Sequence, residues 1–516
     1  MADEEKKPEG DSVARTAGRG GLAITFAKVY FILLGLVQQI LLPRVLGMGG
    51  YGALSRALSV SSIAYNPVVT TSIQGVSRAV AASSEAEQPH TIRRVVKVHA
   101  IVAIVLGVGF FALAAPIGSA IGAPHIIPAL RILGGVLFFY SIYAPLIGVL
   151  NGKKLFVRQA ALDMTAATLR TIGLIGLGWL FMKMAGRGVE GSTAGFVLSS
   201  ALVFLVAIGM VGLGKGGSGG VSVKEHLVFI APVFGGQILL NLLLQADLTL
   251  LGAFAAEAAS AAGKPLTAAD PLVGAYRATQ LFCFLPYQML ISVTFILFPM
   301  LAKAEHEGDR QAVAKYVRTG MRLALVLAGL MVSVTSGLSG PLLRLVFPPA
   351  AAEYGTQSMQ ILTLGFGAFA IFGILTTVLN SLKHERASAL VTAIAFGLVV
   401  LLCFLRVRGQ EFGADLLVRT AWATTAGLGV ATLTAAVLVR RAAGALVSPV
   451  SLLRVLVALG VAVAVGRQFA HASKLMTIVL SAVVAVVYLL VLLVSRELGK
   501  DDLGMVKAVI ARRAKK

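Results

Sequence analysis

Residues 129–154 read ALRILGGVLFFYSIYAPLIGVLNGKK, and residues 358–383 read SMQILTLGFGAFAIFGILTTVLNSLK. Each segment is an apolar run of roughly 20 residues, which is long enough to cross a bilayer as a helix. Both runs end in Val-Leu-Asn, two further residues and a lysine, and the copies lie 229 positions apart (380 − 151). The repeat predicts a membrane protein built from two related halves.

A second, shorter repeat lies upstream of the first. Gly52-Ala53 and Gly274-Ala275 each begin an apolar segment, here with an offset of 222 (274 − 52). The two halves therefore differ by a few loop residues. Repeats of this length that contain several hydrophobic segments are typical of membrane transporters rather than of soluble repeat proteins.

The composition supports a membrane location for the whole chain. Of the 516 residues, 57% are hydrophobic and only 13% are charged, which is too little polar surface for a soluble domain of this size. The 56 glycines suit a helical bundle in lipid, because small residues let helix backbones approach closely. The two cysteines, Cys283 and Cys403, lie in apolar segments, so no disulfide framework is expected.

The hydrophobic segments predict an all-α polytopic fold with about 14 transmembrane helices. Their centres lie near Ile32, Ser62, Leu106, Phe139, Thr171, Ser200, Leu240, Phe284, Leu330, Gly367, Leu398, Leu428, Val457 and Val484. Six helices per half is an even number, so both halves have the same orientation in the membrane. We therefore expect two six-helix lobes related by a pseudo-two-fold axis along the membrane normal, plus two extra helices.

The net charge of +22 follows this topology. With the N-terminus in the cytoplasm, the inner loops and both tails hold most of the lysines and arginines, whereas the outer loops hold about a dozen. The distribution predicts a multi-pass protein of the bacterial cytoplasmic (inner) membrane with both termini in the cytoplasm. Attraction to anionic lipid is a by-product of this topology, and nucleic acid is not expected as a partner.

The segments predict a division of the chain into six parts. Residues 1–20 form a disordered cytoplasmic tail, and residues 498–516 form a basic one. The predicted parts between them are 21–211, the N-lobe with spans 1–6; 212–222, a glycine-rich linker; 223–443, the C-lobe with spans 7–12; and 444–497, spans 13 and 14.

The glycine-rich linker reads GLGKGGSGG at residues 212–220, which matches the spacing G-x-G-x-x-G. A dinucleotide-binding loop of that type follows a strand and belongs to a βαβ unit, and neither is expected here. We interpret the segment instead as a flexible hinge that joins the two halves. No cofactor is expected.

Ionisable residues inside the membrane are the candidate functional residues, because each costs at least ~2.5 kcal/mol at the bilayer centre. Arg170 lies nearest the predicted midplane, and Lys28 lies in the inner third of the first span. Asp247 and Arg277 lie in the outer third of their helices, and Arg56 lies near the outer mouth of the second span. Cations outnumber anions in this set, which predicts a cavity for an anionic substrate.

The second span is also unusually polar for a helix that faces lipid. It carries Ser59, Asn66 and Thr70 among other polar residues, and Pro67 is expected to bend it. A helix of this kind needs water or protein on one side. We therefore expect Asn66 to line a central cavity and to contact the substrate.

Structural interpretations of the charged residues remain open beside the functional ones. Lys28 can extend to the cytoplasmic interface, and Arg56 can be an interfacial residue. Arg170 has Asp163 two turns below it on the same helix face, about 10 Å away, which is too far for a relaxed ion pair. Arg170 is therefore a candidate for substrate contact.

Asp247 and Arg277 lie at similar depth on consecutive helices, which fits a structural ion pair. The alternative for Asp247 is a carboxylate that couples transport to a cation. No His, Cys or carboxylate cluster has the spacing of a metal site, and no catalytic set stands in a loop of sufficient size. The protein is therefore not expected to be an enzyme.

The order of several short motifs resembles the polysaccharide and oligosaccharide flippase branch of the multidrug/oligosaccharidyl-lipid/polysaccharide exporter superfamily. The resemblance covers about residues 21–495. The motifs are Val45-Leu46-Gly47 with Tyr51-Gly52-Ala53, Val149-Leu150-Asn151-Gly152-Lys153, Gln245-Ala246-Asp247-Leu248 through Leu251-Gly252, Val273-Gly274-Ala275-Tyr276, and Phe298-Pro299 followed by Glu307-Gly308-Asp309-Arg310.

The resemblance implies alternating access in a monomer with a V-shaped central cavity. The cargo would be an anionic polyprenyl-pyrophosphate-linked oligosaccharide, a polysaccharide or O-antigen precursor, which moves from the cytoplasmic to the outer leaflet. The cationic residues would hold the pyrophosphate, and the membrane potential or a gradient of a coupling cation (H+ or Na+) would drive the cycle.

Two other transport functions remain open within the same superfamily. A lipid II flippase for peptidoglycan synthesis also has 14 spans and a cationic cavity, although the first span here offers only Lys28 rather than several arginines. A drug/cation antiporter uses acidic residues inside the membrane, and this chain offers mainly Asp247. A membrane-embedded glycosyltransferase would need a large outer loop with acids and histidines, which the sequence lacks.

Overall fold

The computed structural model describes residues 9–217 and 219–499, and this part of the chain is helical throughout, with no strand. Residues 1–8 and 500–516, which belong to the two predicted tails, lie outside the described residues, whereas residues 9–20 form the start of the first helix. Two short 3₁₀ helices, Pro124–Ile126 and Leu266–Ala269, precede α3 and α7. The α-helices are α1 (Glu9–Ala82), α2 (Gln88–Ala120), α3 (Ile127–Gly152), α4 (Phe156–Ala185), α5 (Gly188–Val211), α6 (Val223–Ala261), α7 (Asp270–Cys283), α8 (Leu285–His306), α9 (Arg310–Gly337), α10 (Ser339–Val346), α11 (Pro349–Ser381), α12 (Glu385–Arg406), α13 (Asp415–Ala443), α14 (Pro449–Arg467) and α15 (Lys474–Val494).

The described helices provide a segment for every predicted membrane span. Twelve are long and apolar enough to cross a membrane, and a bent pair over residues 266–306 adds a thirteenth. The first of the twelve has 61 residues, Leu22–Ala82, which is long enough for two crossings of roughly 20 residues each. Each predicted span centre lies in one of these segments, so the all-α polytopic fold is confirmed.

The helix α1 consists of two arms that meet at Gly47. This residue has φ 71° and ψ 170°, a conformation that side chains with a Cβ atom rarely adopt. Gly47 thus ends the first arm and begins the second. Pro67 does not interrupt the second arm. The backbone of α1 departs from helical geometry at Gly47 instead.

The repeated stretch forms the central helix of each half of the chain. The membrane windows of α3 and α11 are each 67% buried within the protein, whereas those of the other spanning helices are at most 50% buried. A helix that is apolar all round belongs inside a bundle, because it has no polar face to turn to water. The duplicated sequence therefore marks the two helices around which the others pack.

The two copies also end in the same turn. Lys154 has φ 58° and Lys383 has φ 60°, and both are non-glycine residues in the left-handed region. After each helix, a backbone N–H bonds the carbonyl five residues earlier, from Leu155 to Leu150 and from His384 to Leu379, at 2.8 Å in both cases. This is the Schellman motif with lysine where glycine is usual. The sequence repeat is therefore a repeat of backbone geometry as well.

The described chain packs as two compact units. The first contains the residues up to Gln245 together with Pro265–Asp270, and the second contains Ala246–Lys264 and the residues from Pro271 onward. The long helix α6 thus belongs to both units. The lobe boundaries deduced from the sequence stay a prediction.

The glycine-rich linker is fastened to the start of α2 within the first unit. The backbone N–H of Lys215 donates to the carbonyl of Pro89 at 3.0 Å, and Arg94 donates to the carbonyl of Val221 at 2.8 Å. A Cβ atom on Gly214 would lie 2.4 Å from the Pro89 oxygen, so glycine is needed for this close approach. The described part of the linker thus contacts the first unit, and its role as a flexible hinge stays a prediction.

Glycines bring α4 and α5 into backbone contact. A Cβ atom on Gly195 would lie 1.9 Å from the carbonyl oxygen of Gly173, and one on Gly173 would lie 2.3 Å from the oxygen of Gly195. Lipid provides no hydrophobic force that drives one helix against another, so such close packing is a main source of attraction.

We predict that Gly195→Ala lowers the melting temperature of the detergent-solubilised protein, because the new methyl group pushes α4 and α5 apart. Overpacking of this kind costs about 1–3 kcal/mol. Gly176→Ala on α4 is the matched control, since nothing lies within 4 Å of its Cβ position. The control should leave the melting temperature unchanged or raise it. Equal melting temperatures for the two variants would contradict the close contact.

Candidate functional site

The Arg170 side chain on α4 is enclosed by aromatic rings of the first unit. Its guanidinium carbon lies 4.4 Å from the ring centroid of Phe196 on α5, and its charge acts on the hydroxyl of Tyr140 on α3. The ring of Tyr65 on α1 meets those of Tyr140 and Phe196 edge-on, at 5.6 and 6.3 Å between centroids. We call these four residues the arginine cage.

The arginine cage leaves part of the guanidinium unsatisfied. The Nε atom of Arg170 is buried and has no hydrogen-bond partner among the described residues. No described carboxylate forms an ion pair with this side chain, and Asp163 in particular is not its partner. Contact with an aromatic face stabilises a cation but leaves its in-plane N–H groups available. The cage is therefore suited to receive an anion.

A second polar group lies two turns away on α4. The carboxylate of Asp163 is partly buried, and the positive charge of Lys28 on the first arm of α1 acts on it. Tyr143 on α3 lies close enough for its hydroxyl to interact with the same carboxylate, and this hydroxyl has no hydrogen-bond partner in the described part of the chain. Lys28 and Asp163 thus supply one charge of each sign in the unit that contains Arg170.

Sequence reasoning identified Lys28 and Arg170 but missed the aromatic residues of the arginine cage. Tyr140 and Tyr143 stand one turn apart on the repeated helix α3, and their rings lie 6.1 Å apart. Two tyrosines at this spacing in an otherwise apolar helix could have indicated a polar site, because a buried tyrosine hydroxyl needs a hydrogen-bond partner. Phe196 carried no such signal.

Arg56 is buried instead of lying at an interface. Its side chain is 2% exposed and donates to the carboxylate of Asp270 at 2.9 Å and to the carbonyl of Ile121 at 2.6 Å. The other carboxylate oxygen of Asp270 lies 2.7 Å from Nε2 of His125. These contacts fasten the 3₁₀ segment before α7 to the first unit and occupy Arg56 in this conformation.

Asn66 belongs to a row of polar side chains on α1 that bond to α6 within the first unit. Its Nδ2 donates to Oδ1 of Asn241 on α6 at 3.1 Å, and Ser59 donates to Gln245 at 2.9 Å. Protein groups thus satisfy the side chains of Ser59 and Asn66 on the second arm of α1. Its role in substrate contact stays a prediction.

The carboxylate of Asp247 is buried in the second unit and surrounded by donors. Its side chain accepts hydrogen bonds from the hydroxyl of Tyr276 at 3.0 Å, from Nε2 of Gln280 at 3.1 Å to each oxygen, and from the backbone N–H of Leu248 at 2.7 Å. These donors let the carboxylate remain in the protein interior.

Arg277 reaches Asp247 only through a third residue. Its Nη1 donates to Oε1 of Gln280 at 3.0 Å, while the amide nitrogen of Gln280 donates to Asp247. No ion pair joins Arg277 directly to Asp247 among the residues that the structure describes. The interpretation as a direct structural ion pair is wrong, since the two helix positions are separated by one glutamine side chain.

The chain matches a sequence model of polysaccharide biosynthesis proteins over residues 17–305, which is 289 of its 516 residues. No curated protein sequence matches the chain.

Solved transporter structures share the fold. The lipid II flippase MurJ in an inward closed conformation superimposes with a TM-score of 0.73 at 15% identity, over 90% of this chain and 98% of that one. A multidrug resistance MATE transporter of the MOP superfamily, inward-facing, has a TM-score of 0.63 at 15% identity, over 80% and 94%. The Vibrio cholerae MATE transporter VcmN has a TM-score of 0.57 at 16% identity, over 84% and 97%. At these identities the similarity concerns the fold alone.

We predict that Arg56→Ala destabilises the protein by about 3–5 kcal/mol, because it leaves the carboxylate of Asp270 buried without its cation. The matched control is Arg408→Ala, which removes an exposed arginine that lies 3.3 Å from Glu257. Exposed pairs contribute about 0–1 kcal/mol. Thermal unfolding in detergent should separate the two variants clearly, and a similar small loss in both would show that the Arg56 contact is not stabilising.

Proposed function

This chain belongs to the family of polysaccharide biosynthesis proteins, and on that premise we propose that it is a flippase for a polyprenyl-pyrophosphate-linked oligosaccharide. The cargo is a polysaccharide or O-antigen precursor, which the protein moves across the bacterial cytoplasmic membrane by alternating access. Family membership and the fold make the chain a multi-pass membrane transporter of the MOP superfamily. The nature of the cargo and the route are our proposal, as are a monomeric state and cytoplasmic termini.

The observation that carries this proposal is the unsatisfied guanidinium of Arg170. A charged side chain at the bilayer centre costs at least ~2.5 kcal/mol, and an unpaired buried donor costs about 1–3 kcal/mol more. A cost of this size is retained where the group has a function. A pyrophosphate offers several anionic oxygens, and arginine binds such oxygens in its plane through short charge-assisted hydrogen bonds.

The neighbouring charges support the same cargo. Asp163 lies near Lys28 and offsets its charge while no anion is bound. A pyrophosphate at Arg170 would bring a second anion into the unit that contains Lys28. The first unit therefore provides two cations for one doubly charged headgroup.

We further propose that Asp247 couples the cycle to a cation, H+ or Na+. Its carboxylate accepts hydrogen bonds from the side chains of Tyr276 and Gln280, and both of these donors can turn away when a cation takes their place. Arg277 then acts on the carboxylate through Gln280.

The lipid II flippase remains the nearest alternative, because its cargo has the same polyprenyl-pyrophosphate chemistry and the MurJ fold matches most of the chain. A drug/cation antiporter is the second alternative, and the buried carboxylate of Asp247 is the feature that favours it. The three functions differ in what accumulates in cells that lack the protein: an oligosaccharide precursor on the inner leaflet, lipid II, or the drug.

We predict that Arg170→Ala weakens binding of a polyprenyl-pyrophosphate-linked oligosaccharide to the purified protein about 10- to 100-fold. This corresponds to the loss of one charged hydrogen-bonding partner, about 1.5–3 kcal/mol. Glycan export should fall while drug resistance is unchanged. Arg131→Ala is the matched control, since this exposed arginine also lies over an aromatic ring, that of Phe111, at 5.8 Å.

Unchanged glycan binding by the Arg170→Ala variant would overturn the assignment of the anion site. Lost drug resistance with intact glycan export would point to an antiporter. Binding of lipid II in place of the oligosaccharide would identify the peptidoglycan precursor as the cargo.

We predict that Asp247→Asn abolishes the dependence of transport on a proton or sodium gradient, because the amide carries no charge for the cation to neutralise. Binding of the oligosaccharide should remain within about threefold of wild type. The control is Asp415→Asn, which alters an exposed carboxylate at the start of α13. Transport that responds to the gradient as before in the Asp247→Asn variant would exclude this carboxylate as the coupling group.

A further inference from the structure

We propose that His99 on α2 and His226 on α6 together form a binding site for one proton. The two rings meet edge-on with 5.4 Å between centroids, and their Nε2 atoms lie 3.2 Å apart. Nδ1 of His99 lies 3.0 Å from the hydroxyl of Ser72 on α1. All three side chains are buried in the first unit, and the sequence analysis assigned no role to any of them.

His99, His226 and Ser72 can bind one extra proton without movement of any heavy atom. A neutral imidazole has one N–H donor and one acceptor nitrogen, so a single proton lies between the two Nε2 atoms. When His99 gains a proton, its Nε2 donates to His226 and its Nδ1 donates to Ser72. The Ser72 hydroxyl can change from donor to acceptor by rotation, since it offers both.

A second extra proton cannot be accommodated in the same way. It would place an N–H group on each Nε2 atom, so that two donors would face each other across 3.2 Å. The two rings would have to move apart. The pair therefore binds one proton and not two while the rings stay in contact.

A cavity gives this pair access to solvent. His226 lines a pocket of about 250 Å³ together with Gly75, Arg78, Val221, Glu225 and Phe229. The pocket lies at the end of α1 and the start of α6, which is the side that the charge distribution assigns to the cytoplasm. His226 is thus the member of the pair that exchanges protons with water.

The charged groups that share this pocket with His226 oppose each other. Arg78 on α1 lies with its guanidinium carbon 4.1 Å from the ring centroid of Phe229. The carboxylate of Glu225 on α6 accepts a hydrogen bond from the backbone N–H of Ser222 at 3.0 Å and so caps the start of its helix. With one cation and one anion at the pocket, the proton enters neither a strongly positive nor a strongly negative field.

The same helix carries the proton site and the buried carboxylate. α6 contains His226 in the first unit and Asp247 in the second, 21 residues further on (247 − 226), which is about 32 Å along a helix. The proton bound by the pair and a cation bound at Asp247 would thus act on the same helix. The role of the pair in coupling rests on the proposed transport function, whereas proton binding itself does not.

The proton site can be tested by NMR on protein labelled with ¹⁵N-histidine in lipid nanodiscs with EDTA present, titrated from pH 8 to pH 4. We expect His99 and His226 to share a single one-proton step, and His99→Gln and His226→Gln to remove it. The exposed His384 provides the matched control, and His384→Gln should leave the step unchanged. Ser72→Ala should shift the step to lower pH, because the protonated ring loses an acceptor.

Two results would overturn the proposal: rings that stay neutral down to pH 4, or two separate one-proton steps. A step that appears only without EDTA would indicate a bound metal ion and would also overturn it.

The role of the pair in coupling is tested separately, by measuring the affinity for the polyprenyl-pyrophosphate-linked oligosaccharide as a function of pH. One coupled proton changes the affinity tenfold per pH unit over the range of the step. His226→Gln should make the affinity independent of pH in that range. A wild-type protein that binds no oligosaccharide at any pH would contradict the flippase, while the NMR titration would still report on the histidine pair.

Discussion

A bilayer offers no hydrogen-bond partner, so each polar side chain that enters it must be satisfied inside the protein. Arg56 meets this requirement with Asp270 and a backbone carbonyl, and Asp247 meets it with hydroxyl, amide and backbone donors. Arg170 meets it only in part, since aromatic rings and one hydroxyl leave its Nε without a partner. Arg170 thus differs from the other two charges in having a buried donor without a partner among the described residues.

The same constraint shapes the backbone. Helices satisfy their own N–H and carbonyl groups, and glycines such as Gly173 and Gly195 let them touch where lipid provides no driving force. After α3 and α11, the chain turns so that backbone N–H groups donate to the last free carbonyls of the helix. In both turns a lysine adopts the left-handed backbone conformation. The duplication thus preserves the central helix of each half together with the way it ends.

The two units carry different chemistry. The first holds the arginine cage and the histidine pair, and the second holds the carboxylate of Asp247. The helix α6 belongs to both, because its residues up to Gln245 pack in the first unit and the rest in the second.

The sequence by itself determined the class of protein, the order of its apolar helices and the repeat. These follow from hydrophobicity and spacing along the chain, which are local properties, and lipid allows few structures other than helices. It also singled out Arg170 and Asp247, since a charge in an apolar segment is visible without a fold. Which groups surround each charge depended on the tertiary structure alone. The partner of Arg56 lies 214 residues away, and a single glutamine separates Arg277 from Asp247. Such distances are set by how helices remote in sequence pack together, and no pattern along the chain records them.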